Sequence, residues 1–182
     1  WADTQIATAS TVVTCTNKKT GIEVCQIIAN LYWNSRHQLK FDMQSGDIIT
    51  AINSIPKNFS IIADSGDNPT AGGVGDRADV LEAILTNRIE YVLFAGIASE
   101  SAYNELQKGN KFNIGGDLGG GGPNLELNDD EVCFEEQCAI VKVQNITIIV
   151  SKKRRPFLTI SDFDNLALHM QDYRLLLVKY GY

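Results

Sequence analysis

Histidine is nearly missing from this chain of 182 residues: only His37 and His169 occur, far apart, and neither HExxH nor HxH spacing is present. That argues against a self-contained histidine-rich zinc site, and each histidine reads as a surface residue. Cysteine is scarce as well. Cys15, Cys25, Cys133 and Cys138 are too scattered for a disulfide framework, and the last two lack the CxxC spacing of a zinc knuckle, so all four read as reduced core thiols. No GxSxG elbow and no Walker or GxGxxG phosphate loop opening a helix is present, which leaves the serine-hydrolase and nucleotide readings without a carrier. No apolar run approaches the ~20 residues of a membrane-spanning helix. Positive charge is also short: 16 Lys and Arg face 22 Asp and Glu, a net charge of -6, which argues against general binding to a phosphate backbone. The one basic cluster, Lys152-Lys153-Arg154-Arg155, follows a strand pattern and reads as a solvated turn.

What is present suits an ordinary globular chain, with 44% hydrophobic and 21% charged residues. The periodicity predicts an α/β fold. Thr11 to Thr16 is β-branched and strand-like; a helix follows in which Thr20 and Glu23 form a capping box and two apolar rows, Ile22, Cys25, Ile28 and Tyr32 with Val24, Ile27 and Leu31, ask to be covered on both sides. Trp33 and Arg36 share a face near its end, the arginine lying along the ring or clamping an anion. Ser45 caps a short helix through Ile48, Ile49 and Ile52, closed by Pro56. From about 60 to 110 the order is βαβα, the pattern of a right-handed parallel unit, with an uninterrupted apolar strand from Tyr91 to Ile97 and Ser99 capping the helix after it. Antiparallel strands follow over 125–127, 132–143 and 145–151. Ser161 and Asp164 cap a last short helix, and 173–179 forms a closing buried strand, so a mixed sheet is expected.

Two glycine-rich stretches carry the candidate chemistry. In the first, the Ile61-Ile62 strand runs into Ala63-Asp64-Ser65-Gly66-Asp67-Asn68-Pro69-Thr70-Ala71-Gly72-Gly73-Val74-Gly75-Asp76, and a helical pattern begins at once, from 76 to about 88. A loop beyond the carboxyl end of a strand is where an open α/β sheet places its ligands. Asp64, Asp67, Asn68, Gly72, Gly73, Gly75 and Asp76 are therefore candidate cleft-lining residues, the acids able to bind a cation, act as a base or hold loop amides. The plainer reading makes Asp76 the helix N-cap, Asp79 its capping partner, and the glycines mere turn residues. The second stretch, Gly115-Gly116-Asp117-Leu118-Gly119-Gly120-Gly121-Gly122-Pro123, is a second shaped loop, with Gly115, Gly116 and Asp117 as its candidates. No residue is singled out as catalytic.

The first stretch closely resembles the signature of the microcystinase C (MlrC)-like metallopeptidase family, in its C-terminal region. Trp1-Ala2-Asp3-Thr4 is similar to that family's junction between its two parts, and Trp33 with Arg36, Gly115-Gly116, Gly122-Pro123, 150–157 and Val178-Lys179 agree in order. The resemblance implies a bacterial zinc-dependent hydrolase typified by cleavage of linearised microcystin peptides, with its acid and histidine metal ligands in an N-terminal part. On that basis 1–182 is expected to be a single α/β domain, a C-terminal fragment lacking the N-terminal metal-binding domain, as a start at Trp1 without Met or leader would suit. Zinc is expected in the intact protein and no cofactor in this fragment. The expected partners are that N-terminal domain and a peptide or small amide substrate, with no nucleic acid and no membrane, and the unpaired cysteines favour the cytoplasm. Ser99-Glu100 stands where relatives have Asp-Pro, and the extra glycines beside Asp117-Leu118 alter the second loop, so the substrate does not carry over. The rival readings are an anion-holding binding module and a purely structural partner domain.

Overall fold

A computed structural model of the chain describes residues 9–38, 40, 42–56, 58–109 and 111–180. The junction read at Trp1-Ala2-Asp3-Thr4 lies outside them. Two compact units divide the chain, 2–46 and 47–182.

The first unit is a single long helix, α1 (Lys18–Ser35), preceded by an extended segment. Asn17, three residues ahead of the expected Thr20, is its N-cap: the Asn17 carboxamide oxygen accepts from the backbone N–H of Lys19 at 2.9 Å and of Thr20 at 3.2 Å. Asparagine caps as well as threonine does, and here it claims the orphan donors first. Residues 11–16 join no sheet among the described residues, since a strand needs a partner that this unit lacks. Within α1 only Gly21 is buried, because the Cys15 thiol sits where a side chain would be. Both apolar rows keep exposed members, Ile22, Ile27, Leu31 and Tyr32. Arg36 lies 3.9 Å from the centre of the Trp33 ring and donates back to the Trp33 carbonyl, so it stacks rather than clamps.

The second unit is built on a six-stranded mixed sheet. Its strands are β1 (Ser60–Ala63), β2 (Val92–Ala98), β5 (Glu131–Glu135), β6 (Cys138–Val143), β7 (Ile146–Ser151) and β8 (Leu175–Val178), and β3 (Lys111–Ile114) pairs with β4 (Leu125–Asn128) in a separate two-stranded sheet. The spatial order is β1-β8-β2-β7-β6-β5, with β1, β8, β2 and β7 parallel and β6 and β5 antiparallel to their neighbours. Expected features hold here: the βαβα order is β1, α3 (Asp79–Thr86), β2, α4 (Glu100–Leu106), and all seven residues of β2 are buried. The run 132–143 is two strands, not one. It reverses at Glu136, which takes a positive φ of 54°.

Period-two alternation sends β2 side chains to both faces of the sheet. Val92 and Phe94 join α2 (Ile48–Asn53), α3, α4 and β3 in the larger core, while Leu93 and Ala95 meet Phe157, Phe163 of α5 (Ile160–Asp164), Leu166 and Leu168 in the smaller one. Each buried Leu, Ile or Phe contributes about 2 kcal/mol. The caps differ in part from expectation: Ser99 caps α4 through Ala102 N–H at 3.0 Å as expected, but Asp47 caps α2 in place of Ser45, and Thr159 with Asp162 opens α5 in place of Ser161. Of the four thiols only Cys138 is buried; Cys15 and Cys133 are exposed, which corrects the core reading for those two. No helix among the described residues is long and apolar enough to cross a membrane.

Candidate functional site

Because β1, β8, β2 and β7 run parallel, their carboxyl ends open on one edge of the sheet. Asp64 follows β1, Lys179 follows β8, Ser99 follows β2 and Lys152 follows β7, so four loops leave the sheet side by side. The first glycine loop, 64–77, starts from Asp64, whose Oδ1 accepts from Asp67 N–H at 3.3 Å and so turns the chain into one 3-10 turn.

Asp67 is the knot of this loop. Its Oδ1 accepts from Gly75 N–H at 2.9 Å, and its Oδ2 accepts from Arg77 N–H at 2.8 Å and from Lys179 Nζ at 2.8 Å. Lys179, with 1% of its side chain exposed, also donates to Asp64 Oδ2 at 3.1 Å and to the Arg77 carbonyl at 2.8 Å. Three donors meet three acceptors, which is what a buried ammonium needs. Asn68 closes the next turn: its side-chain oxygen accepts from Thr70 N–H at 2.9 Å and its carbonyl from Gly73 N–H at 2.9 Å. Gly73 has no alternative, since a Cβ there would lie 2.7 Å from the Asn68 backbone nitrogen. Asp67, Asn68, Gly73, Gly75 and Asp76 are buried, Asp64 is half-buried, and Gly66 and residues 70–72, with Gly72 among them, form an exposed tip.

Asp76 does not cap a helix. α3 begins three residues later with Ala78 as its N-cap residue and no side-chain cap, so the capping pair of Asp76 and Asp79 is not formed. Asp76 turns instead to the second glycine loop. Its Oδ2 accepts from Leu118 N–H at 2.5 Å, while Oδ1 is buried with no hydrogen-bond partner among the described residues, and a Cβ on Gly120 would stand 3.3 Å from it. Burial pushes this carboxyl above the usual range; the Leu118 bond pulls it back, and the charges of Asp67 and Asp117 push it further up. Arg77 extends the contact, donating from Nη1 to the Gly120 carbonyl at 2.5 Å while its other nitrogens hold Asp79 in a fork at 2.9 and 2.8 Å.

In the second loop Gly115 and Gly116 take φ of +99° and +81° and start the turn, and Asp117 Oδ2 accepts from Ser99 Oγ at 2.5 Å and from Ser101 Oγ. The base is pinned by Asn124, whose Nδ2 donates to the Gly115 carbonyl at 3.0 Å. The sequence candidates of both loops therefore meet at one edge, joined by Asp76. Lys179, Ser99, Ser101 and Arg154, whose guanidinium reaches the Gly73 carbonyl at 3.5 Å, were missed as members. The available signal was that Lys179 is a charge placed directly after a wholly apolar strand.

These acids do not suit a zinc site. Asp67 and Asp64 are neutralised by Lys179, Asp117 is held by two hydroxyls, and among the described residues no three His, Cys, Asp or Glu side chains group as ligands for one ion. What the arrangement does chemically is hold a polar loop rigid beside an exposed tip, with one carboxylate oxygen left unpaired.

A family model described as "MlrC C-terminus" matches residues 62–182. No curated protein matches the chain. Among solved structures it is similar to a crystal structure named "Putative metallopeptidase" from Mesorhizobium sp. BNC1, with a TM-score of 0.70 and 14% identity over 88% of this chain. At that identity the likeness shows the fold. This chain covers 37% of the length of that protein.

Proposed function

The chain belongs to the MlrC C-terminus family, and from that premise we propose that it is the C-terminal part of a bacterial, cytoplasmic zinc-dependent metallopeptidase or related hydrolase, supplying a cleft-lining glycine loop and no metal ligand of its own. The observation that carries this reading is the exposed tip of the first loop, Gly66 and residues 70–72, held by buried Asp67 and Lys179 at the carboxyl edge of the parallel strands. Rigid support beneath an exposed tip is how a site holds a substrate in a fixed pose. The name of the Mesorhizobium protein and the family match agree with this role, and the shortfall in length against that protein leaves room for an N-terminal partner domain carrying the metal. In this proposal the chain's own residues bind and orient a peptide or small amide, while Asp67 stays committed to Lys179. The second glycine loop, with Gly115, Gly116 and Asp117, walls the same edge.

The anion-holding alternative is less well supported, because the Gly75 and Arg77 amides that would face an anion already serve Asp67. The test is kinetic. In the intact polypeptide, Ala71→Trp at the tip should lower kcat/KM for an amide substrate at least tenfold with an unchanged melting temperature, and the 1–182 chain alone should neither hydrolyse it nor retain stoichiometric zinc. Unchanged kinetics in the Ala71→Trp variant, or a zinc-loaded active fragment, would sink the proposal; calorimetric binding of phosphate or acetate to 1–182 would favour the alternative.

A further inference from the structure

The second glycine loop is tight at its base and open at its tip. Residues 115–123 connect β3 to β4, and their base is tight: a Cβ on Gly115 would collide with the Pro123 carbonyl oxygen. Beyond the base, nothing approaches within 4 Å of the Cβ positions of Gly116 and Gly119, and the Leu118 side chain is 49% exposed. Leu118, the one apolar side chain of 116–122, is exposed, so apart from Gly120 lying against Val74 the loop stays down through polar contacts: Leu118 N–H to Asp76, the Gly120 carbonyl to Arg77, and Asp117 to Ser99 and Ser101. Segments held by a few polar contacts and little apolar burial open locally, well short of global unfolding. Beneath it lies Asp76, fully buried, with Oδ1 unpaired against Gly120. A buried carboxylate oxygen that no protein donor reaches opposes the closed form, because burial weakens its hydration and the described residues supply no replacement.

We propose that residues 116–122 form a lid over Asp76, closed by three polar latches and opening without unfolding of the sheet, so that the Asp76 carboxylate becomes accessible at the carboxyl edge of the strands. The proposal does not rest on the hydrolase reading. Closed, the lid isolates Asp76 from the edge; open, it offers an oxygen that nothing among the described residues pairs. Asp67 is the internal contrast. It is nearly as buried as Asp76, yet two backbone amides and Lys179 satisfy it.

The experiment is carboxyl footprinting of the whole chain under native conditions, with a water-soluble carbodiimide and glycine ethyl ester, read by peptide mass spectrometry. Asp76 should be modified slowly in the wild type and at least three times faster in two variants, while Asp67 stays unmodified in all. One is Ser101→Ala, which removes an exposed latch hydroxyl. The other is Gly120→Ala, whose methyl would run into Val74 Cγ2 and wedge the lid. Circular dichroism checks that each variant is folded. If Asp76 is as inert as Asp67 throughout, if both carboxyls react together, or if neither variant accelerates Asp76, the lid does not exist.

Discussion

The two glycine loops look alike as strings of residues and are tied down differently. In the loop of residues 64–77 the glycines make room: Gly73 lies so close to the backbone of Asp67 and Asn68 that no side chain fits, and the carboxylate of Asp67 ties three donors at its centre. In the loop of residues 115–123 two glycines supply backbone angles instead, with φ of +81° at Gly116 and +78° at Gly119 and open space around both, while Gly120 and Gly122 lie close against Val74 and Asp79 of the first loop and its helix. One loop is cemented from within and the other is hung from its neighbours. A glycine count cannot tell these apart, because it registers the missing Cβ but not what occupies its place.

The largest effect that would break this contrast comes from Lys179. Lys179→Met leaves buried Asp67 and half-buried Asp64 without their cation, and removal of one partner from a buried pair costs about 3–5 kcal/mol. The expected outcome is a loss of that size in urea unfolding at neutral pH, together with loss of amide protection at Gly75 and Arg77; a loss under about 1 kcal/mol would mean that Asp67 is hydrated and the first loop is not cemented. Next in size is Gly73→Ala. Its methyl would meet backbone atoms at 2.7 Å, which yield less readily than side chains, so a loss of about 2–3 kcal/mol is expected from the same denaturation curve. Gly116→Ala sharpens the comparison from the other side. It meets nothing, and only the positive φ is strained, so about 1 kcal/mol should be lost. If Gly73→Ala and Gly116→Ala prove equal, the distinction between room-making and angle-supplying glycines fails here.

Much of the architecture was legible because it is written locally. The apolar run 91–97, the cap at Ser99 and the alternation of strand and helix from 60 to 110 each depend on neighbours in sequence, and each is where expected. The position of β8 between β1 and β2 was not, since the pairing of Ile61 with Leu176 is decided by which apolar faces fit across more than a hundred residues. The split at Glu136 hid for a different reason: a residue other than glycine takes the left-handed turn, so the pattern carries no break. In the site, the loops and their acids stood out by composition. The roles of those acids did not, because Asp67 is fixed by Lys179, 112 residues away, and Asp76 by Leu118, 42 residues away. Identical side chains nine residues apart thus end as a neutralised knot and an unpaired oxygen.

The smallest expected effect concerns that unpaired oxygen and follows from its ionisation. Burial is the main reason the Asp76 carboxyl lies above its ordinary 3.8; Asp67 and Asp117 add to the rise, and the Leu118 N–H and Lys179 oppose it. A carboxyl raised in the folded state contributes stability that is complete below its unfolded value and is lost as pH climbs through the folded one, since the unfolded chain ionises more readily. Asp76→Asn cannot ionise and so lacks this loss. Whatever constant offset the amide introduces, the stability of the variant relative to wild type should therefore rise as the pH climbs above the ordinary carboxylate range, as read from urea midpoints at each pH. Asp67→Asn is the control from the other loop: it strips Lys179 of its nearest counter-charge, so it should be destabilised at neutral pH, where Asp76→Asn fares best. A flat difference for Asp76→Asn would place its carboxyl in water most of the time, and the second loop would then stand open over it rather than closed.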